Sequence, residues 1–172
     1  KMLALTDGLT GLLNHRAFHD RIKQEFERYR RYGACLSLIV ADFDDLKYIN
    51  DTYGHPVGDE VIRKIGDIMR DTSRESDVLA RYGGEEFIIL LPQTNSKNAR
   101  NMAERIRQKV ERFVFSIHDL QIKSTISVCV ATVPDGDINS PQDLLEFADR
   151  ALYEAKRSGK NRVAIAEAFL KQ

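Results

Sequence analysis

The sequence predicts a single α+β domain, one mainly antiparallel sheet with helices packed against it. Three observations carry this prediction. Strand-like apolar runs alternate with segments of helical period in the order helix, then β-α-β-β-α-β-α-β. Two of the strand runs are separated only by a turn containing Gly83-Gly84, so they pair as a hairpin. The chain has 172 residues, 42% of them hydrophobic, which suits one core of ordinary size.

Each element has its own signal. The turn-rich stretch LTDGLTGLLN leads into a helix that Asn14 can cap. Phe18, Ile22, Phe26 and Tyr29 keep helical spacing, and RYRRYG ends the helix with terminal cations and Gly33 as the stop. That basic cluster is taken as a solvated helix end. CLSLIVADF is nearly continuous apolar, the pattern of a central buried strand. VGDEVIRKIGDIM sets Val57, Val61, Ile65 and Ile68 on one helical face. DVLARY and EEFIILLP are the hairpin strands. SKNARNMAERIRQKVERF is a helix carrying Ala99, Met102, Ile106, Val110 and Phe113. IKSTISVCVATV is expected to be one long strand. SPQDLLEFADRALYEAKRSG is a helix with Ser140 as cap and Pro141 in its first position. NRVAIA is a short last strand. A βαββαβ core of this kind occurs in polymerase palms and nucleotide cyclases, an analogy that assigns no function by itself.

Charge narrows the function classes. Twenty-six basic residues balance 26 acidic ones, and the pI is near 7.1. A dedicated nucleic-acid binder usually shows a basic excess, so that class is disfavoured, whereas a small anionic ligand in a local basic pocket is not. Cys35 and Cys129 lie in apolar strand-like runs and are expected to be buried free thiols, in keeping with a reducing cytoplasm. No run approaches the roughly 18 apolar residues of a membrane helix, and no signal peptide is recognisable. The opening KMLALTDGLTGL suggests that residues 1–172 form one domain of a longer protein.

The chemistry concentrates in acids. The central strand runs into ADFDDLKYINDTYGHPVGDE. Side chains alternate along a strand, so Asp42 and Asp44 point one way and Phe43 the other. A carboxylate at the end of a buried strand is costly unless paired or metal-bound, which singles out Asp42. Asp44 and Asp45 are expected to be loop residues. Glu85 and Glu86 in the hairpin should also alternate, leaving one of them to share a face with Asp42. Hard divalent cations take one or two carboxylates plus substrate phosphates. Asp42, the Phe43 carbonyl and one hairpin glutamate would form such a site. No zinc spacing, Ser-His-Asp arrangement or Walker-type phosphate loop is present.

RYGGEEF at 81–87 and DFDDLKYINDTYGHPVGD at 42–59 together resemble the GGDEF domain of diguanylate cyclases, in its GGEEF form. The resemblance runs from DGLTGLLNHRAF through ADRALYEAKRSGKNRV, almost the whole chain. It implies a palm-like nucleotide cyclase fold that joins two GTP molecules into cyclic di-GMP, releases two pyrophosphates and works as a homodimer. It implies Mg²⁺ or Mn²⁺ held by Asp42, the Phe43 carbonyl and Glu85, with Glu85 also the base for the ribose 3′-hydroxyl and Glu86 assisting. Gly83 and Gly84 leave room for the nucleotide. Asn50 and Asp59 match the guanine-reading pair, and a carboxylate at Asp59 suits guanine N1–H and N2–H₂. His55 lies near the nucleotide. Lys47, Lys156 and Lys160 match phosphate contacts, and Arg81 is assigned to the substrate side. Lys160 stands where arginine is common, keeping charge without the planar fork. RESD at 74–77 matches the family's RxxD product-inhibition motif, with Arg74 and Asp77 as ligands and Arg105 in support.

Departures at Leu46, His15 and Cys129 touch neither metal nor base recognition. Three readings compete: an active cyclase, a catalytically silent GGDEF domain acting as a cyclic di-GMP or GTP receptor, and a palm-like polymerase. The intact Asp42, Asn50, Asp59, Glu85 and Glu86 favour the first, and neutral charge disfavours the third. The resemblance also implies a sensor or receiver domain upstream.

Overall fold

A computed structural model describes residues 4–134 and 138–166. Helix α1 (His15–Tyr32) begins where Asn14 Oδ1 accepts from Ala17 N at 2.9 Å. It ends at Gly33, whose φ of 73° lets its N–H reach the Tyr29 carbonyl. Strand β1 (Leu36–Phe43) follows, then α2 (Leu46–Tyr53), α3 (His55–Thr72), β2 (Val78–Arg81) and β3 (Glu86–Pro92). The chain continues through α4 (Ser96–Arg112), a small hairpin of β4 (Phe115–Ile117) and β5 (Leu120–Ile122), β6 (Ile126–Val133), α5 (Pro141–Arg157) and β7 (Val163–Ile165).

Among the described residues, five strands form one sheet in the order β2-β3-β1-β6-β7. Every pair is antiparallel except β6 with β7, so the mainly antiparallel expectation holds. Strand β1 is central and buried on both faces. Ile39, Ala41 and Phe43 enter the core beneath α3 and α4, while Leu36, Leu38 and Val40 enter the core beneath α1 and α5. Its unbroken hydrophobicity therefore reports two covered faces. Each of these side chains except Ala41, whose single methyl contributes less, adds about 1.5–3 kcal/mol by leaving water.

One expectation needs correction. The stretch read as one strand, 122–133, is broken at 123–125, with Ile122 ending β5 and Ile126 opening β6. At the break, the Thr125 carbonyl accepts from Asp44 N and its hydroxyl donates to the Asp44 carboxylate. Asp44 lies in the turn between β1 and α2, as expected, yet it is only 2% exposed. The short helix α2 between β1 and α3 also went unpredicted, because its eight residues carry only one buried apolar side chain, Ile49.

Candidate functional site

The site is built at the C-terminal end of β1. In the β1–β3 ladder Asp42 stands directly opposite Glu86, so those two side chains share a face. Glu85 precedes β3, and its carbonyl accepts from Phe43 N at 2.9 Å. Strict alternation does not govern Glu85, because it lies before the strand, and both glutamates join one acidic field with Asp42. Burial raises the Glu85 carboxyl and the Asp42 charge raises it further. Burial, Asp149, Asp42 and Glu85 together push Glu86 up to about 7.

Lys156 of α5 enters this field from above. Its Nζ lies 2.8 Å from Asp42 Oδ1, 2.7 Å from Asp44 Oδ1 and 3.4 Å from the Phe43 carbonyl oxygen. Asp44 also accepts from Thr125 Oγ1 at 2.7 Å, Ser127 Oγ at 2.8 Å and Asn161 N at 3.1 Å. Burial alone would raise Asp44, but these donors outweigh it and hold the carboxyl below its usual range. Asp42 goes the other way: burial raises it and Lys156 offsets only part. Burial disfavours the Lys156 ammonium, yet its two carboxylate partners win and raise its pKa.

The donor set suits a hard divalent cation. An ammonium already rests on Asp42, Asp44 and the Phe43 carbonyl, so these oxygens surround a position where positive charge is favourable. Among the described residues, no three His, Cys, Asp or Glu side chains form a ready cage.

Around the acids, the turn between β2 and β3 is open. Neither Gly83 nor Gly84 has a positive φ, and a Cβ at Gly84 would meet nothing within 4 Å. The hairpin itself therefore does not require glycine at 84. Arg81 braces this turn: its Nη1 pairs with Asp7 at 3.2 Å and its Nη2 donates to the Gly84 carbonyl at 2.7 Å. Lys47 is exposed in the first turn of α2, and His55 and Asp59 are exposed on α3. Asn50 is half-buried on α2, with Oδ1 buried and lacking a hydrogen-bond partner. Lys160 Nζ pairs with Asp45 at 2.8 Å.

The RESD segment forms a second feature. Arg74 Nη2 donates to Thr94 Oγ1 at 2.6 Å and lies 3.4 Å from Asp77 Oδ1, while Asp77 Oδ2 accepts from Arg74 N at 2.8 Å. Arg74 lines a cavity of 680 Å³ together with Arg21, Arg28 and Tyr29 of α1. Arg105 is exposed on α4 and does not line it. Arg21 and Arg28 were missed from the sequence. Their seven-residue spacing, which puts both on one helix face, was the available signal.

Fold and site together define a nucleotide-cyclase-type domain. The family described as "Diguanylate cyclase, GGDEF domain" matches residues 4–162, and the chain belongs to that family. It is 39% identical over 163 residues to diguanylate cyclase DgcP of Pseudomonas aeruginosa, covering 95% of this chain and 24% of that protein. It is 41% identical over 164 residues to response regulator PleD of Caulobacter vibrioides, covering 94% of this chain and 36% of that protein. The chain thus spans between a quarter and about a third of these relatives. The GGDEF domain of DgcB from Caulobacter crescentus, solved in complex with c-di-GMP, superposes with a TM-score of 0.91 at 34% identity, covering 96% of this chain and 98% of that one. No described helix is long and apolar enough to cross a membrane.

Proposed function

We propose that this domain condenses two GTP molecules into cyclic di-GMP, each of two subunits presenting one GTP to the other. The observation that carries this reading is the cation seat of Asp42, Asp44 and the Phe43 carbonyl beside an open glycine turn. Asp59 accepts from guanine N1–H and N2–H₂, and Asn50 supplies the second base contact, with His55 beside them. The first-turn N–H groups of α2 lack intrahelical partners and face an anion favourably. Lys47, Lys156 and Lys160 add charge for the phosphates. Arg81 serves by holding the turn at Gly84.

Mg²⁺ or Mn²⁺ on Asp42, the Phe43 carbonyl and Glu85 would offset charge on the α-phosphate and favour loss of the 3′-hydroxyl proton. Glu85 accepts that proton, and Glu86 supports the acidic field from across Asp42. The 3′-oxygen of one GTP bonds to the α-phosphorus of the other as the bond to pyrophosphate breaks. Two such transfers close the ring and release two pyrophosphates. Product cyclic di-GMP binds back at Arg74 and Asp77, where guanidinium groups can stack on a purine and bond guanine O6 and N7. The PleD likeness supports a regulatory domain upstream. Chromatography after incubation with GTP and Mg²⁺ tests the reading: cyclic di-GMP and pyrophosphate in a 1:2 ratio support it, and GTP bound but unchanged favours a receptor module.

A further inference from the structure

Gly58 is the fourth residue of α3 and is buried. Its φ is not positive, so the backbone makes no demand for glycine. Glycine inside a helix is less stable than alanine. The fold accepts that loss at a position where only space is obtained. A Cβ at Gly58 would lie 1.9 Å from Asn50 Oδ1 and 3.0 Å from Asn50 Cγ, with Leu46 Cδ1 at 3.4 Å. The space over Gly58 is thus filled by the Asn50 carboxamide and closed on another side by Leu46.

The same carboxamide holds the unpartnered, buried Oδ1. Leaving such an acceptor unsatisfied is unfavourable. An amide held in that state between α2 and α3 is held by shape, and the shape is the missing Cβ. We propose that Gly58 is a positioning residue for Asn50: the gap at Gly58 is the seat that sets the Asn50 amide in the guanine subsite. This rests on the GTP reading above. Any side chain at 58 would expel the amide and weaken nucleotide binding through Asn50, with no contact of its own to the ligand.

The test is a double-mutant cycle read by calorimetric titration with GTPαS, whose phosphorothioate slows transfer, together with thermal melts. Gly58→Ala should weaken binding about tenfold, the loss of one or two base hydrogen bonds. Asn50→Ala should do the same, and the double variant should bind no more weakly than Asn50→Ala alone. The double variant should also melt no lower than Asn50→Ala, because alanine then fits the helix. Should Gly58→Ala fail to fold, a folded double variant would still support the seat. Wild-type-like binding by Gly58→Ala, an equal loss in both backgrounds, or unfolding of both Gly58 variants would overturn the seat alone. A wild-type domain that ignores GTPαS would overturn the GTP reading with it.

Discussion

The Lys156 ammonium lies 2.7 Å from Oδ1 of Asp44, a residue only 2% exposed. Three further donors fix that carboxylate, so Lys156 meets a rigid partner and is itself drawn onto Asp42 and the Phe43 carbonyl. The chain carries its own cation at the place where the metal would bind.

Removing that cation leaves the Asp42 and Asp44 carboxylates without the positive charge they share. Lys156→Met should lose about 2 kcal/mol in EDTA, below the value for a fully buried pair because the lysine is partly exposed. A loss of that size lowers the melting temperature by about 4–8 °C. Added Mg²⁺ should raise the melting temperature more in the variant than in the wild type. Equal Mg²⁺ responses would show that Lys156 and the metal do not share one set of oxygens.

Glu86 should make the metal-free domain less stable as pH rises. Its folded pKa of about 7 lies above the ordinary 4.5, so the folded state binds the extra proton between those values. The loss sets in above pH 4.5 and is complete once pH passes about 7. Glu86→Gln should melt like the wild type near pH 4.5 and a few degrees higher at pH 8, about 1 kcal/mol for a half-buried, partly screened group. A constant difference across that range would contradict the raised Glu86 carboxyl that burial and repulsion from Asp149 and Asp42 produce.

Much of the fold was legible because local signals agreed with the global pattern. Asn14, Gly33, Ser140 and Pro141 sit at the helix ends where their chemistry predicted. The break between β5 and β6 was not legible: Lys123, Ser124 and Thr125 carry no turn signal, and what interrupts the strand is the distant Asp44. The same partnership hid Asp44 itself, since only the tertiary fold brings Thr125, Ser127 and Lys156 around it. Asp42 opposite Glu86 was half legible. Alternation gave the shared face, but the start of β3 decided which glutamate stands in register.

Asp7 ties the segment before α1 to the β2–β3 turn through Arg81 and Gly84. Burial would raise the Asp7 carboxyl, but hydrogen bonds from Thr10 and the Arg81 charge hold it below 3.8. Its contribution is therefore present above pH 3.8 and is lost as pH falls through the lower folded value. Asp7→Asn should reduce stability at pH 7 by about 1 kcal/mol or less, with the difference shrinking in acid. Hydrogen exchange at Gly83 and Gly84 should quicken in the variant. Unchanged exchange there would mean that the turn stands without this brace.

Arg74→Ala should weaken cyclic di-GMP binding at the cavity by about 10–100-fold, the range of a charged hydrogen bond. Turnover should then continue to product levels that arrest the wild type. Arg28→Ala should act in the same direction, because Arg28 lines the same cavity. Product arrest unchanged in both variants would place feedback elsewhere.

The most direct test of the central claim is the initial rate of cyclic di-GMP formation from GTP and Mg²⁺ across a wide range of domain concentration, with Glu85→Ala beside the wild type. The account predicts a rate that rises faster than linearly with protein, because each subunit supplies half of the reacting pair, and no product from Glu85→Ala. A rate strictly proportional to concentration, or product formed undiminished by Glu85→Ala, would contradict it.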